Sequence, residues 1–308
     1  MHRNCFSINF AVVTNLHNKQ LATGYMKRLI YTILLFSTAL SALATSYERL
    51  TSRMDDHFDH AEWKEVLSTS TQMVQLRPAD VVPYSTALIA AQFLEDIPTE
   101  NHFLELSQRN RVHIDSLLQQ VYVRTRLIHN AQVYEGLLHN LKSNNKWLAR
   151  VFNIYLLDFY AFARKTDQTI AIADELLEVT PNSNRFKKIK ADALFYQGKH
   201  EEAIALYEDV LKSDTDNYEI ITLLGAYYST QDCKHLQEID SLYLQDAQPI
   251  DSVYIARKQH IIDNHLPRTI ELLQRAYATR PSKHLQSEIA RLQAITPILP
   301  IVTQGKRK

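Results

Sequence analysis

The chain has few residues that could do chemistry, and their spacing limits what that chemistry would be. The densest run of metal-ligating types is Asp55-Asp56-His57-Phe58-Asp59-His60. His57 and His60 stand one helical turn apart, which would give two imidazoles a common face, as zinc requires. No HExxH accompanies them, and the run falls near the expected bend of a helix pair, so it reads as a solvated turn. His260 and His265 around Asp263 form a sparser set. There is no GxSxG elbow and no cysteine motif of a nucleophile family. Phosphate-cradling loops need clustered glycines, because backbone must approach the ligand closely. The five glycines here, Gly24, Gly136, Gly198, Gly225 and Gly305, are scattered. Acidic pairs at helical spacing are abundant, and such pairs ordinarily mark a solvated face. The residues therefore point to no enzyme, no resident metal and no cofactor.

The elements that would position any site are helices. Sheets need Gly-rich turns at short intervals, and this chain lacks them. Its 308 residues suffice for one elongated array or two ordinary domains. Charge is balanced, 34 basic against 34 acidic. Residues 1–44 carry Arg3, Lys19, Lys27 and Arg28 and no acid, so the body retains 30 basic and 34 acidic residues. A mildly acidic body argues against a general nucleic-acid binder. The basic end Lys306-Arg307-Lys308 reads as a solvated terminus.

The front of the chain reads as an address. From Met26, two cations precede an apolar run, Leu29 to Leu43, followed by Ala42-Leu43-Ala44 with small residues where a signal peptidase needs them. The run is 15 residues long, short of the roughly 20 that span a hydrocarbon core. We expect a signal peptide over 26–44, a true start at Met26 with 1–25 lying upstream of it, and no stable membrane insertion after cleavage. With Cys5 discounted, only Cys233 remains, so no internal disulfide can form. The expected location is outside the cytoplasm, at the bacterial periplasm or cell surface.

An internal period dominates the rest. Pro181, Thr215 and Pro249 are spaced by 34 residues, each ending a similar amphipathic segment. The segments include YAFARKTDQTIAIADELLEVTP at 160–181 and LFYQGKHEEAIALYEDVLKSDT at 194–215, with shorter echoes at 63–78 and 268–281. Ile221, Leu224, Gly225 and Tyr228 give one half of a signature, and Ala203 and Tyr207 the other, with Gly198 at the turn between. These segments resemble the tetratricopeptide repeat family. The resemblance implies an all-α, right-handed α-solenoid of stacked helix pairs. Leu157, Ala191 and Gly225 would then be equivalent crossing positions. The expected organisation is a first pair at 45–78, degenerate repeats over 79–149, an array over 150–281, a capping helix over 282–296 and a tail over 297–308. Within 79–149, helices are expected near 83–95, 99–110, 113–129 and 131–143.

In that family, the first helix of each pair lines a concave groove that binds a protein or peptide partner. Carried over by repeat alignment, the groove residues would include Asp158, Phe162, Arg185, Lys188, Asp192, Phe195, Tyr196 and His260. The aromatics would supply anchor area, and Arg185 and Lys188 could orient a carboxylate. Some family members clamp a C-terminal carboxylate with Lys and Asn one turn apart. Here Asp192 follows Lys188, which speaks against that mode. The expected function is an exported scaffold or adaptor. The alternative is a ligand-binding accessory protein of envelope transport or glycan handling, for which a row of sugar-stacking aromatics would be the sign.

Overall fold

The structure, a computed structural model, describes residues 46–245 and 252–295. The expected leader, the residues before it, Pro249 and the tail from 297 lie outside these. The described residues form fourteen α-helices, one short 3-10 turn at Lys146–Leu148 and no strand. Helix α1 covers 46–59 and is followed by α2 (Trp63–Leu76), α3 (Val81–Phe93), α4 (Ile97–Arg109), α5 (Ile114–Leu127) and α6 (Ala131–Asn144). Then come α7 (Ala149–Phe162), α8 (Thr166–Val179), α9 (Asn184–Tyr196) and α10 (His200–Leu211). The last four are α11 (Tyr218–Gln245), α12 (Ser252–Asn264), α13 (Leu266–Thr279) and α14 (Lys283–Gln293). None of the described helices is long and apolar enough to cross a membrane.

Odd-numbered helices α1 to α9 open five pairs, and each is reversed into its mate by the same device. Ala61, Glu95, His129, Arg164 and Gly198 have φ of 57°, 55°, 53°, 56° and 80°. They recur every 34 or 35 residues. The next amide reaches back five residues each time, Glu62 to His57 O, Asp96 to Ala91 O, Asn130 to Thr125 O, Lys165 to Tyr160 O and Lys199 to Leu194 O, at 2.9–3.1 Å. This left-handed closure satisfies carbonyls that a helix end otherwise leaves open. An L-residue pays about 1–2 kcal/mol in that conformation. Glu95→Gly or His129→Gly should therefore raise stability by about 0.5–1 kcal/mol, part of the gain being lost to a freer unfolded chain. Gly198→Ala should lower it similarly, since a Cβ there meets no atom within 4 Å and only the backbone objects. Urea midpoints for the three variants check the sign.

The chain forms two compact units, divided between Tyr155 and Leu156. In the first, α3 is buried along Pro83–Ala91 and touches α2, α4, α5 and α6. A helix buried on every side needs small residues where neighbours approach, and Ser85, Ala87, Ala90 and Ala91 provide them. Tyr47, Met54 and Met73 close its leading edge. Trp63 opens α2 and stacks on Phe93 with centroids 4.1 Å apart.

In the second unit, α9 and α10 pack around Ala191, Leu194, Ala203 and Tyr207. Pro181 and Pro281 directly follow the last caps of α8 and α13, where no further helical N–H is needed. A turn one 34-residue period beyond Gly198, which a regular array would place inside this segment, is absent. Helix α11 continues for 28 residues. The position 34 residues beyond Gly198 is Asp232, which stays helical and nearly buried. Its carboxylate accepts from Thr269 Oγ1 at 2.7 Å and lies 3.6 Å from His265 Nδ1. The mate of α11 is therefore α13, not the segment leading to Pro249. A Cβ at Gly225 would fall 2.9 Å from Leu273 Cδ2. The distal half of α11 and the antiparallel α12 form an arm inserted between the two mates.

Candidate functional site

Consecutive first helices of the second unit turn one face outward, built from α7 (from Leu156), α9 and the start of α11. Ser183 caps α9 by accepting from Phe186 N–H at 3.4 Å, and Asn217 Oδ1 accepts from Ile220 N–H at 3.2 Å. These caps fix where each face begins. On that face Arg185 Nη2 donates to both oxygens of Asp158 at 2.6 Å, joining α9 to α7. Lys188 Nζ lies 3.0 Å from both Asp192 Oδ2 and Glu219 Oε2, joining α9 to α11. Burial opposes the charge on Lys188, yet the two carboxylates outweigh it and hold its ammonium above the ordinary lysine range. Asp192 also accepts from Tyr207 OH at 2.6 Å. Burial, then this bond, raises the Tyr207 phenol well above its usual value.

The expected groove residues are thus mostly brought together. Arg185 and Lys188 spend their charges on neighbouring acids, so an incoming carboxylate would have to displace Asp158 or Asp192. Phe195 is half-buried and packs its ring against His200, Tyr207 and Tyr227 at 4.6, 6.5 and 5.9 Å. Phe162 and Tyr196 end α7 and α9 and are 72% and 64% exposed. They are 34 residues apart, so the period places them at equivalent positions. Arg164 sits 5.4 Å over the Tyr196 ring and donates to its OH at 3.2 Å. Glu219, a first-helix position of the next repeat by the same alignment, joins this face through Lys188, whereas Arg164 joins it without having been expected there; the 34-residue offset from Gly198 to Arg164 is the sequence signal that points to it. His260 stands apart, on α12 of the inserted arm, its ring 5.5 Å from that of His265.

The acidic and histidine run near residue 57 is internally matched. His57 Nδ1 lies 2.5 Å from Glu62 Oε2, and His60 Nδ1 lies 2.8 Å from Asp56 O. Among the described residues no group of three or more His, Cys, Asp or Glu is placed to hold a metal ion. Cys233 is a free thiol contacted by Arg291 Nη1 at 3.0 Å.

Helix pairs closed by one recurring turn, with polar and aromatic residues spread over a helix face and no reactive centre among the described residues, define a helical-repeat protein, a fold suited to protein–protein contact. No family model matches the chain, and no curated protein matches it. Several solved structures share the pairwise helical arrangement at a distance. A protein named provisionally for protein binding, from Bacteroides ovatus, is 18% identical, covers 70% of this chain and 96% of its own, and has a TM-score of 0.43. A TPR repeats protein from Bacteroides fragilis is 14% identical over 81% of this chain and 99% of its own, with a TM-score of 0.39. A tetratricopeptide repeat protein from Parabacteroides merdae is 11% identical over 80% and 98%, with a TM-score of 0.35.

Proposed function

We propose that this chain is an exported interaction scaffold that binds a partner protein or peptide on the first-helix face of its second unit. The observation that carries the reading is the exposed aromatic pair, Phe162 and Tyr196, at equivalent ends of adjacent first helices. Large aromatic rings that stay mostly exposed at repeated positions are the residue types that dominate binding energy when covered. The lattice of Asp158–Arg185 and Lys188 with Asp192 and Glu219 holds the face rigid beside them, so little ordering cost remains at binding. Export rests on the sequence of residues 26–44.

Affinity capture from an envelope extract of the source cells, followed by titration of the purified partner, tests this. Phe162→Ala with Tyr196→Ala should weaken that partner about tenfold or more while the helical spectrum stays unchanged. A partner bound equally by the double variant would remove the aromatic pair from the site. Retention of glycan and no protein would move the reading to a ligand-binding accessory role.

A further inference from the structure

The inserted arm carries a second surface, separate from the aromatic face. Its two helices are tied along one side by Asp240, which accepts from Tyr254 OH at 2.6 Å and Lys258 Nζ at 2.7 Å. The Tyr243 and Tyr254 rings meet at 4.3 Å. On another side they leave an open apolar groove of about 820 Å³ between Ile239 and Leu242 of α11 and Val253 and Ala256 of α12. Leu242 and Val253 are 55% and 53% exposed. His235 and Glu238 of α11 and Arg257 and His260 of α12 also line the groove. Among the described residues no acid pairs with Arg257. The Glu238 carboxylate lies 3.8 Å from Lys234 Nζ in an exposed contact.

This pattern is complementary to itself. Asp240 facing Tyr254 and Lys258 sets the register of the arm, and places Glu238 and Arg257 at one level within about a helical turn. Two such arms set face to face about a two-fold axis along their length would bring α11 of each against α12 of the other. Both Glu238–Arg257 pairs would then close across the interface, with the apolar strips between them. A second copy presents the same apolar width and the opposite order of charges by symmetry. We infer that the arm is a homodimerisation element, in which α11 and α12 of two copies form a four-helix bundle sealed by reciprocal Glu238–Arg257 pairs.

Sedimentation equilibrium of the purified full chain over about 1–100 µM tests this. The wild type should be dimeric in that range. Glu238→Arg and Arg257→Glu should each weaken the dimer about tenfold or more, since symmetry applies each reversal twice and like charges then oppose. The double variant carrying both should recover dimerisation. Phe162→Ala with Tyr196→Ala should leave the dimer intact, which separates this surface from the proposed partner face. A monomeric wild type, a dimer indifferent to both reversals, or a double variant no better than the single ones would overturn the inference.

Discussion

Glu100→Met is expected to raise the stability of the first unit by about 3 kcal/mol at pH 8 and by far less at pH 5. Glu100 is fully buried on α4. Asn140 Nδ2 donates to its Oε1 at 3.3 Å, while its Oε2 is buried with no hydrogen-bond partner. Burial pushes this carboxyl from the ordinary 4.5 up to about 7, Asp96 adding to the rise and Asn140 opposing it. The folded chain therefore holds a proton that the unfolded chain has released between those values. Stability falls as pH rises from about 4.5 through 7 and is flat at the lower level above. At about 1.4 kcal/mol per pH unit, the loss is about 3 kcal/mol. Methionine matches the length and removes the buried charge, and Asn140 keeps its bond to Gln92 Oε1 at 3.1 Å. Both tryptophans, Trp63 and Trp147, lie in the first unit, so their fluorescence reads it selectively. Denaturation midpoints at several pH values should slope for the wild type and be level for the variant; parallel slopes would exclude Glu100 as the group responsible.

The second large effect concerns the mate of α11. Leu273 is 1% exposed and fills the space that Gly225 leaves. Leu273→Ala should cost about 2–5 kcal/mol through lost burial and a residual cavity. Gly225→Ala alone brings a methyl to 2.9 Å from Leu273 Cδ2 and 3.2 Å from its Cγ, and in a packed interior neither side yields freely. Combined with Leu273→Ala, the same methyl enters the vacated space. The double variant should thus be more stable than the sum of the single ones implies, by about 1 kcal/mol or more. Hydrogen exchange of the α13 amides reads this directly. Strict additivity would mean that α11 and α13 are not mates in solution.

Much of the helix order is legible in the amino-acid sequence. The four helices expected over 79–149 fall at Val81–Phe93, Ile97–Arg109, Ile114–Leu127 and Ala131–Asn144, because apolar spacing of 3.6 survives when signature letters do not. The inserted arm is hidden by its length. Helix α10 begins at His200 and α13 at Leu266, 66 residues later, which is nearly two periods. Pro249 therefore sits where a regular array would also place a proline. On the candidate face, residue type and period locate the aromatics. What they do not convey is that Arg185 and Lys188 are engaged by acids on adjacent helices, since such a pair depends on the neighbour's register. Glu100 is equally opaque: IPTENHFLELSQR reads as a polar helix, and only its wedging among α3 and α6 buries the carboxyl.

The left-handed turns have a consequence for what the pairs display. An array punctuated by glycine presents bare backbone at every reversal. Here four of the five residues that reverse a pair, Ala61, Glu95, His129 and Arg164, carry side chains at a fixed phase of the repeat, and Arg111, at φ 60° between α4 and α5, makes the same closure outside that phase. Arg164 already uses that vantage to cover Tyr196. Each reversal is thus an address at which the identity of one residue can change the chemistry of a pair's rim without altering the helices that frame it.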